Sequence, residues 1–285
     1  MADNSNKRLN DRREGRLLRS LSAFARLSPY VQTRRSAACS VITESVEVSA
    51  IEQWIREKRG EGWANIGFLH LMAAAYVRTV SMRPGINRFV AGRRIYARSD
   101  IQLVLTVKRG ATPGAAETGV KVSLSPADSV FDVYRKISEA VDGVHAEVTV
   151  NAVDRIASTL LRLPRFVTRF VMAVLRKLDY FDILPFRMLE ASPFHGSLRL
   201  TDLGSLGIAA AETHLSDFGT LPMALCFGAK RRAEGDRHFV DYRIVVDDRI
   251  ADAFYFSGAL KCLKYFLKNP ALLELPPESV EDDVN

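Results

Sequence analysis

Cysteine is scarce in this chain: Cys39, Cys226 and Cys262 are odd in number and far apart. No C-x-x-C pair exists, which argues against a structural zinc site or a disulfide scaffold and for a reducing, cytoplasmic setting. Long apolar runs are missing too. No stretch approaches the roughly 18 uninterrupted apolar residues of a membrane span. The N-terminal MADNSNKRLNDRREGRLLRS carries positive charge with no apolar segment behind it, so it does not read as a secretory signal. No internal repeat is visible. Lysine and arginine (40) outnumber aspartate and glutamate (33), giving a formal charge of +7. The cations do not gather into one block with interleaved aromatics, and no nucleic-acid motif is present, so nucleic acid is not an expected partner. The basic balance suits other anions, such as anionic lipid or phosphate-bearing small molecules.

What is present is enough for a sizeable core: 285 residues, 47% hydrophobic and 26% charged. Residues 1–15 are polar and basic and are expected to be flexible. Residues 274–285 are acidic with two prolines and are expected to fray. Residues 16–273 read as one domain.

Within it, SAACSVITESVEV at 36–48 is rich in small and β-branched residues and reads as a strand. Ser49 and Glu52 have capping-box spacing and open a helix that stops near Gly60. Residues 66–82, apolar on most faces, predict a buried helix ended by Pro84, with His70 inside it as a core histidine. Residues 86–110 read as strand, turn, strand, strand, and the alternation in IQLVLTVK suggests one buried face. A glycine-containing loop, the strand VKVSL, and a helix opened by Ser125-Pro126 with Val130, Tyr134 and Ile137 on one stripe follow. GSLRLTDLG, PMALCFGAKR and HFVDYRIVV are three more strands. The last helix turns Phe254, Ala259, Leu263 and Phe266 inward and closes at Pro270. Strands and helices mix without strict alternation, which predicts an α+β fold built on a mixed sheet.

Residues 152–190 differ in character. Large apolar side chains mix with Arg155, Arg162, Arg165, Arg169, Arg176 and Lys177, and Pro164 breaks the run. This is a cationic amphipathic helical hairpin. It reads either as a helical layer on the sheet with its basic residues in water, or as an interfacial segment in peripheral contact with a membrane or an acyl chain.

Four segments, in order, resemble the catalytic domain of the dihydrolipoyl and chloramphenicol acyltransferase superfamily. The apolar helix ending Arg83-Pro84, with Ile86-Asn87 and the strand from Asp100-Ile101, is similar to that family's helix, proline, asparagine and first long strand. Leu200-Thr201-Asp202-Leu203-Gly204-Ser205-Leu206-Gly207 resembles its I-S-N-L-G-x-x-G strand and turn. Asp241-Tyr242-Arg243 through Asp247-Asp248 resembles its D-H-R-v-x-D-G signature, and Asn269-Pro270 its closing N-P-x-x-L-L. A narrower likeness, carried by Ser192-Pro193-Phe194, His214-Leu215-Ser216-Asp217-Phe218-Gly219-Thr220 and Asp247 to Ala253, is to stand-alone bacterial relatives without a lipoyl domain. No lipoyl segment precedes this region, so such a relative is expected rather than the core subunit of a 2-oxoacid dehydrogenase complex. The resemblance implies a two-layer mixed sheet covered by helices, coenzyme A as acyl-CoA co-substrate or another acyl thioester, no metal, and a homo-oligomer of trimeric form.

Acyl transfer needs a base near the nucleophile's proton and a donor for the tetrahedral oxyanion. In the family these are the histidine of H-x-x-x-D-G and the hydroxyl of the S-N-L-G strand. Thr201 matches the hydroxyl, and also reads as an ordinary strand threonine. Asp247 matches the aspartate, which supports the site's structure in the family, and also reads as a cap for the last helix. The histidine is missing. Arg243 stands four residues before Asp247, and the D-x-R triplet puts Tyr242 in its place. Neither is a base at neutral pH. His238 lies five residues from Arg243, roughly 17 Å along an extended strand. His145 and His195 match no motif. His214, on a loop thirteen residues after Thr201, is the candidate for a relocated base, and also reads as a loop histidine with a structural hydrogen bond. Two functions stay open: an acyltransferase with His214, Thr201 and Asp247 as its site residues, and a catalytically inactive homologue that binds a ligand or partner. A peripheral membrane protein is a third.

Overall fold

The computed structural model describes residues 8, 10–108, 117–146, 158 and 160–284. Nine strands and seven helices are named here. Strands β1 (Gly15–Leu17), β3 (Arg88–Ala91) and β4 (Arg94–Arg98) form a small antiparallel sheet in the order β1-β4-β3. Strands β2 (Cys39–Glu47), β5 (Ile101–Lys108), β6 (Glu117–Leu124), β7 (Leu198–Asp202), β8 (Met223–Arg232) and β9 (His238–Asp247) form a six-stranded sheet in the order β2-β9-β8-β7-β5-β6. β7 runs parallel to both β5 and β8, and every other pairing is antiparallel. The expected α+β mixed sheet is what the chain builds.

The helices are α1 (Ala23–Val31), α2 (Ser49–Gly60), α3 (Phe68–Met82), α4 (Val130–Ala146), α5 (Arg165–Tyr180), α6 (Phe186–Ala191) and α7 (Ala253–Lys268). α3 is the centre of the core. Every residue from Leu71 to Ser81 is buried, which requires neighbours on all sides. The core cluster supplies them: Leu103, Leu105, Leu200, Leu225 and Ile244 from the large sheet, Val133 and Ile137 from α4, and Leu263 and Leu267 from α7. Those strand residues alternate with Val104, Ala224 and Val245, which point to the opposite, outer face of the sheet.

Several local expectations are corrected. IQLVLTVK was read as having one buried face, yet Leu103, Val104 and Leu105 are all buried. The outer face is covered at Val104 by Leu215 and Leu221 of a loop that the strand pattern does not reveal. Ser49 does not cap α2: Val48 holds the cap position without a side-chain bond, and the Ser49 hydroxyl donates to Glu47 at 3.3 Å instead. Phe254 does not face inward but is 89% exposed. The cap of α7 is Asp252, whose carboxylate accepts Tyr255 N–H at 2.7 Å. That register puts Phe256, Ala259, Leu263 and Phe266 on the buried stripe, and Phe254, two positions from Phe256, roughly 160° away from it.

Neither chain end is loose where it is described. Glu14 and Arg12 are buried, and the Glu14 carboxylate accepts from Arg98 at 2.9 Å and from the Thr220 hydroxyl at 3.2 Å. Arg98 also lies 4.3 Å from the centre of the Phe89 ring. At the other end, Trp54 donates to Glu274 at 2.7 Å, Glu281 N–H to Ser81 at 2.8 Å, and Arg88 grips the Asp283 carboxylate with two donors. A chain end rich in charge stays attached when each buried charge meets an opposite one. Residues 1–7 and 9, the 109–116 part of the glycine loop, and 152–157 and 159 of the cationic hairpin lie outside the described residues, and Arg155 with them.

Burial pushes the Glu14 carboxyl up, but Arg98, with His195 and Arg12, outweighs it and holds the group below its ordinary 4.5. Stability from a depressed carboxylate is present above the unfolded value and is lost as pH falls through the folded one. Glu14→Gln should therefore cost about 3–5 kcal/mol at neutral pH, the usual result of leaving one partner of a buried pair. It should also flatten the loss of stability below pH ~4.5. Urea unfolding of both proteins across pH 3–7 measures this, and equal curves would refute it.

Candidate functional site

The outer face of the large sheet carries the residues singled out for chemistry. Register puts Thr43, Arg243, Cys226 and Thr201 in one row across β2, β9, β8 and β7. The next row holds Val41, Val245, Ala224 and Arg199, and continues to Val104 on β5 and Lys121 on β6. Strand alternation settles which way the Asp241-Tyr242-Arg243 triplet points. Tyr242 is fully buried among the core residues, and that burial pushes its phenol up. Arg243 lies half-buried on the outer face. Neither can take a proton at neutral pH, one for lack of access and the other because a guanidinium stays charged. Burial raises the Cys226 thiol beside Thr201, which therefore stays protonated.

The loop from Gly207 to Pro222 crosses this face. It leaves β7 through a 3₁₀ turn at Gly204–Leu206 and passes β8 at a bulge between Phe227 and Lys230. Ala229 N–H donates to Ile208 there at 2.7 Å, and a Cβ on Gly228 would sit 2.1 Å from Ala210 N, so only glycine lets the two backbones meet. Leu215 then packs on Val104, Ala224 and Val245, and the Arg199 guanidinium donates to the His214 carbonyl at 2.5 Å. His214 thus stands over β7 beside Arg199, one row from Thr201, with its residue exposed to solvent. Thr201 is half-buried.

Asp247 belongs to another part of the face. It pairs with Cys39 one row beyond the Arg199 row, which puts it roughly 16 Å from Thr201 by strand rise and spacing. Its carboxylate has no exposure and receives Arg249 at 2.7 Å on each oxygen and Arg35 at 3.3 Å. Arg35 also donates to Ser216 and Gly219 at 2.7 Å and to Val90 at 3.3 Å, and Arg249 to Gln32 at 3.0 Å. Asp247 is therefore not the cap of α7, which is Asp252. It anchors the far end of the His214 loop. Gly219, at φ +87 with Phe194 O 2.1 Å from any Cβ, is the backbone point that lets this end close.

The remaining histidines sit elsewhere. His70 accepts Gly67 N–H at 3.2 Å, and burial, aided by Arg59, lowers it to about 4, so it is a neutral, bonded histidine as expected. His238 starts β9, opposite Arg232. The side chain of His145 lies outside the described residues. His195, which matched no motif, is 1% exposed and bonded on both nitrogens: Ser192 Oγ at 2.8 Å and Asp179 at 3.2 Å. Hydroxyl, imidazole and carboxylate in series resemble a proton relay. The Ser192 oxygen, however, also accepts Phe194 N–H at 3.3 Å, the bond of a turn. Its sequence signal was the same Ser192-Pro193-Phe194 that carried the family likeness.

A cavity of about 450 Å³ opens at the end of β7, lined by Asp202, Gly204 and Ser205 and by Arg56, Arg59 and Lys230. Lys230 pairs with Glu52 at 2.7 Å and Arg59 donates to the Ile66 carbonyl at 2.9 Å. Among the described residues no cluster of histidine, cysteine and carboxylate side chains forms a metal site.

No family model and no curated protein sequence matches the chain. Solved structures do. A chloramphenicol acetyltransferase is 12% identical with a TM-score of 0.60, covering 89% of this chain and 99% of that one. A probable dihydrolipoamide acetyltransferase from Listeria monocytogenes 4b F2365 is 13% identical with a TM-score of 0.56, covering 88% and 94%. The chain has the dihydrolipoamide and chloramphenicol acetyltransferase fold. The acetyltransferase of Azotobacter vinelandii agrees, with 13% identity, a TM-score of 0.57 and coverage of 88% and 91%. Within this acetyltransferase fold the strand that carries Tyr242 and Arg243 is β9, next to the edge strand β2.

The two classes of site residue separate by stability. Asp247→Asn leaves two buried arginines short of a countercharge and should cost about 3–5 kcal/mol. His214→Ala and Thr201→Val, at exposed and half-buried positions, should each cost under about 1 kcal/mol. Thermal and urea unfolding of the three variants decides; an Asp247→Asn protein as stable as the parent contradicts the anchoring role.

Proposed function

We propose that the protein is a cytoplasmic, coenzyme A-dependent acyltransferase that moves an acyl group from a thioester to a thiol or alcohol, acting as a homo-oligomer, with a trimer as the expected form. The observation that carries this reading is the His214 loop held over β7 by the Arg199 bond, beside Thr201, in a chain with the acetyltransferase fold. In the reaction, the His214 imidazole takes the proton of the acceptor thiol or alcohol, and the acceptor attacks the thioester carbonyl. The Thr201 hydroxyl donates to the oxyanion of the tetrahedral intermediate. Its collapse breaks the C–S bond, and the imidazolium returns its proton to the leaving thiolate. The product is the new ester or thioester plus free coenzyme A. Asp247 is a positioning residue that acts through Arg35 on the loop. The cavity at the end of β7, on the helical side of the sheet, offers Arg56 and Arg59 to a phosphate-bearing co-substrate, with Lys230 paired to Glu52 and the Asp202 carboxylate in the same lining.

A second reading has its own observation. The strand position that holds the family's histidine is filled by a core tyrosine and an arginine, which favours an inactive homologue that binds a ligand or partner. Calorimetry with coenzyme A and with acetyl and longer acyl thioesters is expected to show binding. With an active acyl pair, His214→Ala should lower kcat by about 10²–10⁴-fold, the worth of a positioned general base. Thr201→Val should cost about 10²–10³-fold through the oxyanion. Binding without turnover on any thioester supports the inactive homologue. Absence of binding across the series overturns the coenzyme A reading.

A further inference from the structure

Helix α5 has an unusual surface. It is 16 residues long and none is buried. Val167, Val171, Met172, Leu175 and Leu178 form a half-buried flank toward the protein. The solvent-facing side next to this flank is apolar as well: Phe166 is 74% exposed, Phe170 69% and Val174 39%. Their spacing of four aligns them in one stripe along the helix. Leu161, Phe181, Ile183 and Phe186, all exposed, extend the patch beyond both ends of the helix. Contiguous exposed apolar surface of this kind marks an interaction site.

The charges say what covers it. Residues 160–178 contain Arg162, Arg165, Arg169, Arg176 and Lys177 and no acidic residue. All five cations are exposed, and Arg165, Arg169 and Arg176 fall along one border of the stripe by helical rotation. A second copy of the chain on this face would set five cations against five. An anionic bilayer meets both demands: its acyl boundary takes the phenylalanines, and its headgroup phosphates take the arginines. Among the described residues no helix is long and apolar enough to cross a membrane. The helix therefore lies in the interface.

We infer that α5 docks the protein on the surface of an anionic lipid bilayer, inserting Phe166 and Phe170. The inference does not rest on the acyl-transfer reading, and its test contains no thioester, so either can fail alone. The test is co-sedimentation of the full chain with vesicles of phosphatidylcholine, with and without phosphatidylglycerol. At low salt, binding to the anionic vesicles should be at least about 10-fold tighter than to the neutral ones, falling as salt screens the arginines. Phe166→Ser with Phe170→Ser should weaken it by about 10-fold or more, through loss of inserted apolar area. Both side chains are exposed, so the variant should keep the parent's circular dichroism and melting temperature. Arg165→Gln with Arg169→Gln should lose most of the preference for phosphatidylglycerol. Chain left in the supernatant, equal binding to both vesicles, or full binding by the double phenylalanine variant overturns the proposal. Dissociation of an oligomer by that variant, with vesicles ignored by the parent, assigns the face to a second copy instead.

Discussion

A carboxylate with no exposure to water remains charged only where cations replace the lost hydration, and Asp247 meets two guanidinium groups that are buried with it. The consequences reach well beyond the pair. Through Arg35 and Arg249 the same charge ties the end of β9 to residue 32 near α1, to β3 of the small sheet and to residues 216–219 of the crossing loop. The helical side of the large sheet is held by ordinary apolar packing around α3. On the outer side this loop covers the middle of the sheet, and α6 reaches its β6 end, where Lys121 donates to the Leu189 carbonyl at 2.6 Å. The loop's path is set at one end by the Gly228 bulge and at the other by the Asp247 cluster, with Leu215 and the Arg199 bond between them.

That arrangement bears on chemistry. Alternation along β9 sends Tyr242 into the core and leaves Arg243 on the outer face, so neither of these two positions offers a proton acceptor. A loop histidine can take over such a role only if the loop is fixed, because a base must sit within hydrogen-bond reach of its proton. The fixed points of the 207–222 loop are therefore as much a part of the proposed site as His214 itself. The proposed docking surface on α5 is separate from it and draws on a different kind of residue, exposed aromatics bordered by arginine.

Much of this was legible in the sequence. A segment apolar on most faces marked α3, β-branched composition and the alternation of IQLVLTVK marked strands, and the motif order around Pro84, Gly204, Asp247 and Pro270 pointed to the acetyltransferase fold. Pairs distant in sequence were not legible. Glu14 with Arg98, Arg88 with Asp283 and Asp247 with Arg35 are local charges until the chain is folded, so both chain ends read as loose. The inward turn of Phe254 failed on helical rotation: at about 100° per residue it lies roughly 120–180° from Ala259, Leu263 and Phe266, and Phe256 takes the inward place. Thr201 and His214 of the proposed site were named from the sequence, but their common face depends on β7 running parallel between β5 and β8 and on a crossing loop that no periodicity reveals. His195 was missed because its partners, Ser192 and Asp179, lie on different elements.

The central claim is that acyl transfer takes place on the outer face of β7. A crystal structure of the protein with bound coenzyme A measures it most directly. The account predicts the coenzyme thiol beside β7, with the Thr201 hydroxyl and the His214 imidazole both within about 4 Å of the sulfur or of an acyl carbonyl built on it. A thiol bound away from that face, or a His214 ring turned to solvent in the complex, would contradict it.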